Sequence, residues 1–331
     1  MTATDLFDLT AVDGKALEAS LRPQICVELM EQAMLEVSAG RAALPARQAF
    51  EAPGGPGKFG TMPGGLETPA RYGVKVVSLF PRKAATGLSS HVGLYLLFDA
   101  QTGLPLAIMD AGRLTAIRTA AVTALATRTF AARTSTIAVL GAGEQAERHI
   151  RTLAATLRVD RFHLWSRRRE AADGLAQRLA SDERRIDVFD TVAGATREAD
   201  VICTCTSAVD PVLTNGDVAD GVHVNLIGAS FPDRAEADAE LIARGRLFVD
   251  FRPAALAQAG EIRRAIDAGL IGPGHIAGEL GAVLDGKCAG RESDDQVTIY
   301  RSLGVAAQDV AAASHAYDAV RAAGAGALVR L

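Results

Sequence analysis

Two sets of residues in this chain have the types and spacing that chemistry requires. The first is the run Ile137-Ala138-Val139-Leu140-Gly141-Ala142-Gly143-Glu144-Gln145-Ala146, an apolar stretch of strand type that passes into G-x-G-x-x-A and then a helical pattern. Gly141 permits the tight turn, Gly143 lets the backbone approach a pyrophosphate, and Ala146 is small enough for the helix to pack closely on its strand. The free N–H groups and positive dipole end of that helix attract phosphate. A dinucleotide site of this kind reads its ribose about 20 residues on, with an acid for a 2′-hydroxyl or an arginine for a 2′-phosphate. Here the second strand ends Ser166-Arg167-Arg168-Arg169, with no acid. The expected cofactor is therefore NADP(H), held at the ribose by Ser166 and Arg167, with NAD(H) as the alternative.

The second set is three isolated cations: Arg47 after Pro45, Lys75 inside the β-forming run YGVKVVSLF, and Arg118 within an Ala-rich helix. Lys75 is one of only five lysines. A cation among apolar neighbours needs an anion. Either these three make internal ion pairs, or they converge on the carboxylate of a small ligand. His91 titrates near neutrality but follows Ser90 on a strand, where neighbours point to opposite faces, so only one of the two can face a cofactor. The remaining histidines have no spacing that indicates chemistry. Cys26, Cys203, Cys205 and Cys288 lack metal-type spacing, so they are expected to be reduced core residues and no metal is expected.

The elements that must hold these residues follow from periodicity. Residues 15–40 show helical spacing; the Gly- and Pro-rich stretch from Arg41 to Pro69 reads as loops around short strands. RYGVKVVSLF, HVGLYLLFD and PLAIMD then predict a small mixed or antiparallel sheet, followed by a long helix over 115–131. From Ser135 strands and helices alternate through RLFVD at 246–250, which argues for a parallel, doubly wound sheet. After Asp250 the chain is expected to return to helices, over PAALAQAGEIRRAIDAGLI at 253–271 and in a last helix, SLGVAAQDVAAASHAYDAVRAA, at 302–323.

With 331 residues, 49% of them hydrophobic, the chain is long enough for about two domains. A net charge of −4 gives no general attraction to nucleic acid or to anionic membranes. The N-terminal residues MTATDLFDLT lack the pattern of a targeting signal, and no apolar run is long enough to span a membrane. A cytoplasmic protein acting on small molecules is expected.

The chain resembles the ornithine cyclodeaminase and mu-crystallin family over about residues 41–320. The marks are MPG at 62–64, GVKVV at 73–77, AIMDAGRLTAIRTAAVTALAT at 107–127, VLGAGEQA, ADVICTCTS, HVNLIGAS, GELGAVLDG and YRSLGVAAQD. The resemblance implies an α/β fold. A Rossmann domain over 118–299 would bind the dinucleotide, and a discontinuous substrate-binding and dimerisation domain would be built from 1–117 and 300–331 of a homodimer. It places Arg47, Lys75 and Arg118 at the carboxylate of an amino or imino acid and Ser90 close to the cofactor. Glu144, Gln145, Ser166, Arg167, Thr206, Asn225, Ile227, Leu303 and Gly304 match positions lining the dinucleotide. Cyclodeaminases and alanine dehydrogenase-like members carry an aspartate after HVN-x-x-G. This chain has Ser230 there, with Asp233 three residues on and expected to face solvent or cap a helix. Serine can hydrogen-bond but is not a base at neutral pH. The resemblance is thus to the ketimine reductase branch, and the expected activity is NAD(P)H-dependent reduction of a small cyclic imine carboxylate to the L-amino acid. The rival readings are an ornithine or lysine cyclodeaminase, an alanine dehydrogenase-like oxidoreductase, and a non-catalytic protein that binds NADPH and a small ligand.

Overall fold

The computed structural model describes residues 8–80, 91–180 and 185–330. In chain order the first part holds β1 (Asp8–Val12), α1 (Gly14–Ser20), α2 (Pro23–Ser38), β2 (Ala42–Ala43), β3 (Gln48–Glu51), β4 (Lys58–Leu66), β5 (Arg71–Leu79), β6 (His91–Asp99) and β7 (Pro105–Asp110). Helix α3 (Ala111–Phe130) leads to β8 (Thr136–Leu140), α4 (Glu144–Thr156), β9 (Arg161–Trp165), α5 (Arg169–Leu179), β10 (Arg185–Val188), α6 (Val192–Thr196), β11 (Val201–Thr204) and β12 (His223–Leu226). Then come α7 (Ala239–Arg244), β13 (Arg246–Val249), α8 (Arg252–Gln258), α9 (Gly260–Asp267), β14 (Ile276–Glu279), α10 (Leu280–Leu284), β15 (Thr298–Arg301), α11 (Ala306–Ala322) and β16 (Ala327–Arg330). The chain divides into two compact units, one of residues 1–118 with 305–331 and one of 119–304.

The first unit is an eight-stranded mixed sheet, larger than the small sheet expected, in the order β16-β1-β7-β6-β5-β4-β2 with β3 beside β4. Strands β1 and β7 run parallel and their neighbours antiparallel. The expected single helix over 15–40 is broken between Ser20 and Pro23, because proline can begin a helix but lacks the N–H needed to continue one. The Gly-rich stretch holds a nine-residue strand, β4, where short strands were expected. Its glycines admit a close neighbour: a Cβ on Gly64 would stand 2.4 Å from the Cβ of Ala306 in α11. Helix α11 is buried along most of its length, which its alanines allow.

The second unit is an α/β Rossmann-type, doubly wound sheet with the order β10-β9-β8-β11-β12-β15-β13-β14. All its pairings are parallel. Strands β8, β11, β12 and β15 are buried at every position, the pattern of a sheet covered on both faces. The chain winds outward from β8 to β10, then returns to β11 on the other side of β8, so the order reverses between β8 and β11. Strands β14 and β15 lie between the two helices expected after Asp250, where no element was expected. Among the described residues no helix is long and apolar enough to cross a membrane.

Candidate active site

In the first unit, Lys75 occupies the middle of β5 and Arg118 the middle of α3, and both are buried. The outcome of their two open readings is an unequal sharing. Lys75 Nζ donates to Asp309 Oδ2 at 2.8 Å, and Arg118 Nε donates to Asp309 Oδ1 at 2.8 Å. One carboxylate on α11 thus faces two cations. Arg118 Nη1 also donates to Gln308 Oε1 at 2.9 Å, and the Gln308 amide reaches Met34 Sδ. Arg47 is half-buried between β2 and β3, and its charge acts on Lys75. Burial, opposed by Asp309 and reinforced by Arg118 and Arg47, brings the Lys75 ammonium down from 10.5 to about 8. Burial alone would push the Asp309 carboxyl up, but Arg118 and Lys75 hold it below the usual carboxylate range. Lys75 and Arg118 against one carboxylate leave an excess of positive charge in a largely desolvated place, which is what an organic carboxylate requires.

Lys75 is held by its sheet. It pairs with Met62 on β4 and Tyr95 on β6, and a Cβ on Gly73, two residues along, would stand 2.4 Å from the Tyr95 hydroxyl. The glycine lets the tyrosine ring lie across the strand on the face that carries Lys75.

In the second unit, Gly141 ends β8 with φ +130°, a conformation that favours glycine. A Cβ there would stand 2.4 Å from the carbonyl oxygen of Cys205. The Gly141 N–H donates to Trp165 O at 2.8 Å, so the turn is tied to the end of β9 and to Cys205 after β11. Gly143 is the N-cap of α4, accepts no capping side chain, and has open space where a Cβ would project. Ala146 is fully buried against the sheet. Glu144 is exposed in the first turn of α4, and Gln145 Oε1 is buried with no hydrogen-bond partner. An uncapped helix start, an open glycine and an orphaned amide oxygen fit the phosphates and ribose of a dinucleotide.

Ser166 follows β9 half-buried, and Arg167 is exposed. Thr206 lies after β11, Ile227 is buried after β12, and Leu303 with Gly304, at φ +74°, follows β15. The structure therefore gathers Gly141, Ser166, Thr206, Ile227, Leu303 and Gly304 at the carboxyl ends of neighbouring parallel strands. Asn225 is wholly buried and its amide donates to Thr127 Oγ1 at 3.0 Å, a contact inside the core. Ser230 is half-buried in the loop after β12, while Asp233 is exposed. Ser90 lies outside the described residues, as does the side chain of His91.

Other groups are silenced by burial. His149 bridges Gln145 O and Thr123 Oγ1 and is pushed down to about 4. His223, between Thr298 and Asn225, falls to about 3. Burial raises the thiols of Cys26 and Cys203 to about 12, which removes their nucleophilicity.

Sequence reasoning missed three carboxylates: Asp309, Glu236 and Asp250. Asp309 had a signal, a single acid inside the alanine run AAQDVAAA, where a charge must find a partner. Glu236 and Asp250 had none, since each sits among polar residues or at a strand end.

The chain is 32% identical over 295 residues to the Delta(1)-pyrroline-2-carboxylate reductase of Bacillus cereus, covering 88% of this chain and 90% of that protein. It is 36% identical over 263 residues to the ketimine reductase mu-crystallin of Mus musculus, covering 79% and 80%. Among solved structures, the Thermococcus litoralis Delta(1)-pyrroline-2-carboxylate reductase in complex with NADH and L-proline superposes with a TM-score of 0.93 at 30% identity, over 97% of this chain and all of that one. The sequence profile of the ornithine cyclodeaminase/mu-crystallin family matches residues 12–324, and the chain belongs to that family.

Proposed function

We propose that this protein reduces a small cyclic imine carboxylate, of the pyrroline-2-carboxylate or piperideine-2-carboxylate type, to the L-amino acid with NAD(P)H. The observation that carries the reading is the buried cluster in which Lys75 and Arg118 share one carboxylate, Asp309, with the charge of Arg47 also acting on Lys75. The resemblance to imine reductases over most of the chain supports it.

Lys75, Arg118 and Arg47 bind the substrate carboxylate and so orient the ring. Fixing a reacting group this way converts binding into rate. Asp309 keeps Lys75 and Arg118 from repelling each other without neutralising both. Gly141, Gly143, Ala146, Glu144 and Gln145 hold the pyrophosphate side of the cofactor. Thr206, Ile227, Leu303 and Gly304 line its nicotinamide side, and the bound dinucleotide supplies the hydride. Lys75 Nζ holds the proton that the imine nitrogen needs, passed through water, unless the imine arrives already protonated. Ser230, where an aspartate would act as a base on a cationic amine, only hydrogen-bonds, which favours imine reduction over amine release.

Arg167 and Arg168 are exposed and have no ion-pair partner among the described residues, which supports a preference for NADP(H). The outer face of the first unit's sheet carries Tyr72, Val92 and Leu94, all exposed, beside Val74, Leu96 and Phe98, half-buried. An apolar face of this kind supports a homodimer built on the discontinuous unit. Its cysteines are free, in keeping with a reducing, cytoplasmic setting.

The test is NADPH oxidation with each imine, with chiral analysis of the proline or pipecolate formed. L-Amino acid stoichiometric with NADPH is expected. Ammonia release from ornithine with NAD, and no imine reduction, would replace this reading with cyclodeamination. Tight NADPH binding without turnover of either imine would replace it with a binding protein.

A further inference from the structure

Glu236 belongs to no part of the dinucleotide motif and, among the described residues, makes no direct ion pair, yet it is fully buried and accepts five hydrogen bonds from them. Its Oε1 accepts from Thr206 N at 2.7 Å and Thr206 Oγ1 at 2.6 Å. Its Oε2 accepts from Thr204 Oγ1 at 2.8 Å, Gly228 N at 2.6 Å and Ala229 N at 3.3 Å. These donors lie at the end of β11, in the loop after it, and in the loop after β12. The approach is close enough that a Cβ on Gly228 would stand 2.6 Å from Glu236 Oε1.

The tie continues to the next strand. The backbone N–H of Glu236 donates to Glu261 Oε1 at 3.0 Å, and Arg301 Nε at the end of β15 donates to Glu261 Oε2 at 3.0 Å. Arg301 Nη1 donates to Leu226 O and Ser302 O. A second buried carboxylate, Asp250, accepts from Leu303 N and Gly304 N at 2.7 Å each and from the Tyr300 hydroxyl. Buried acceptors thus fix the loops at the carboxyl ends of β11, β12 and β15.

These loops lie on one side of the reversal in strand order. The Gly141–Gly143 turn after β8 and Ser166–Arg167 after β9 lie on its other flank. A dinucleotide laid across such a reversal has one mononucleotide half on each side. We propose that Glu236 is a positioning residue for the nicotinamide half alone, acting through Thr206 and the Gly228–Ser230 loop, with Asp250 doing the same through Leu303 and Gly304. This rests on the dinucleotide reading of the site. The adenosine half is held by backbone and side chains that neither carboxylate touches.

The experiment compares binding of NADPH with binding of 2′-phospho-ADP-ribose, which lacks the nicotinamide, in the parent protein and in Glu236→Gln. Glutamine keeps the size but turns an amide donor toward N–H and O–H donors. NADPH affinity is expected to fall about tenfold. The imine kcat is expected to fall about 10²-fold, with the imine KM little changed. Affinity for 2′-phospho-ADP-ribose stays at the parent value. Asp220→Asn, at an exposed partner of Arg244, leaves all these values unchanged. The proposal is overturned if Glu236→Gln matches the parent, or if it loses the fragment and NADPH together, as a merely structural role would. Should Glu236→Gln fail to fold, Asp250→Asn decides: the same split between fragment and NADPH upholds the proposal, and equal loss or no loss overturns it. A parent that binds neither these ligands nor NADH and ADP-ribose overturns the dinucleotide reading and this proposal with it; if it binds only the NADH pair, that pair replaces NADPH and 2′-phospho-ADP-ribose and the same split decides.

Discussion

On the proposed reading, the two units meet anionic ligands by opposite means. The first buries two cations, Lys75 and Arg118, around one carboxylate, so its charge depends on protonation. The second offers the N–H groups of an uncapped helix start and a glycine turn, which carry no titrating charge. A pyrophosphate keeps its charge across the working pH range, so fixed backbone dipoles suffice. An imine must gain a proton as it is reduced, so its end of the reaction needs groups that can hold one. On the proposed reading, unit one sets the pH dependence and unit two sets the geometric tolerance.

The largest effect follows from removing the central cation. Lys75→Ala is expected to lower kcat/KM for the imine by about 10³-fold, since it removes the charge at the substrate and the one proton source in the cluster. NADPH affinity, measured by fluorescence titration, stays unchanged. A parallel loss of NADPH affinity would break the division of labour. Gly141→Ala acts the other way round. It forces a side chain into φ +130° with a Cβ 2.4 Å from Cys205 O, and is expected to cost about 2–3 kcal/mol of stability by chemical denaturation. NADPH binding weakens as well, whereas Lys75→Ala leaves it intact.

The pH dependence sharpens the contrast. In the proposed role Lys75 acts as the ammonium, and that form is lost as pH rises through about 8. Imine kcat/KM is therefore expected to be level below about 8 and to fall about tenfold per unit above it. NADPH affinity should stay flat over the same interval, because His149 at about 4 and His223 at about 3 are neutral throughout. A profile in which binding of the dinucleotide and turnover fall together would show that Lys75 is not the titrating group.

Legibility of the chain followed the range of its interactions. The dinucleotide turn was legible because Gly141, Gly143 and Ala146 act within one strand–turn–helix unit. Lys75 and Arg118 stood out because a cation in an apolar run is costly wherever it is placed. Their shared partner was not legible, since Asp309 is 234 residues from Lys75 and 191 from Arg118. Only the fold brings α11 against β5. Strands β14 and β15 were missed for a related reason: at four residues each, they are too short for periodicity to show, and their pairing with β13 is what makes them strands. Strand β1 was missed because its partners, β7 and β16, are distant in sequence. The break at Pro23 was missed because the helical spacing runs on across it.

The smallest expected effect concerns the choice between the two nicotinamide cofactors. Three arginines follow one another after β9, but they are not equivalent. Arg169 is engaged by Asp173 and Asp190. Arg167 and Arg168 have no such partner among the described residues, and Ser166 beside them adds a hydroxyl. A 2′-phosphate would therefore meet Arg167 and Arg168, while a 2′-hydroxyl would gain nothing from their charge. Arg167→Ala is expected to lower the ratio of kcat/KM for NADPH over NADH by about tenfold, mainly through the NADPH term. Because these guanidinium groups are exposed, the parent's preference should also shrink as salt is raised, and the variant's should change less. If the ratio is the same in both proteins and insensitive to salt, the arginines are only a solvated helix start, and discrimination at the ribose falls to Ser166 and the backbone around it.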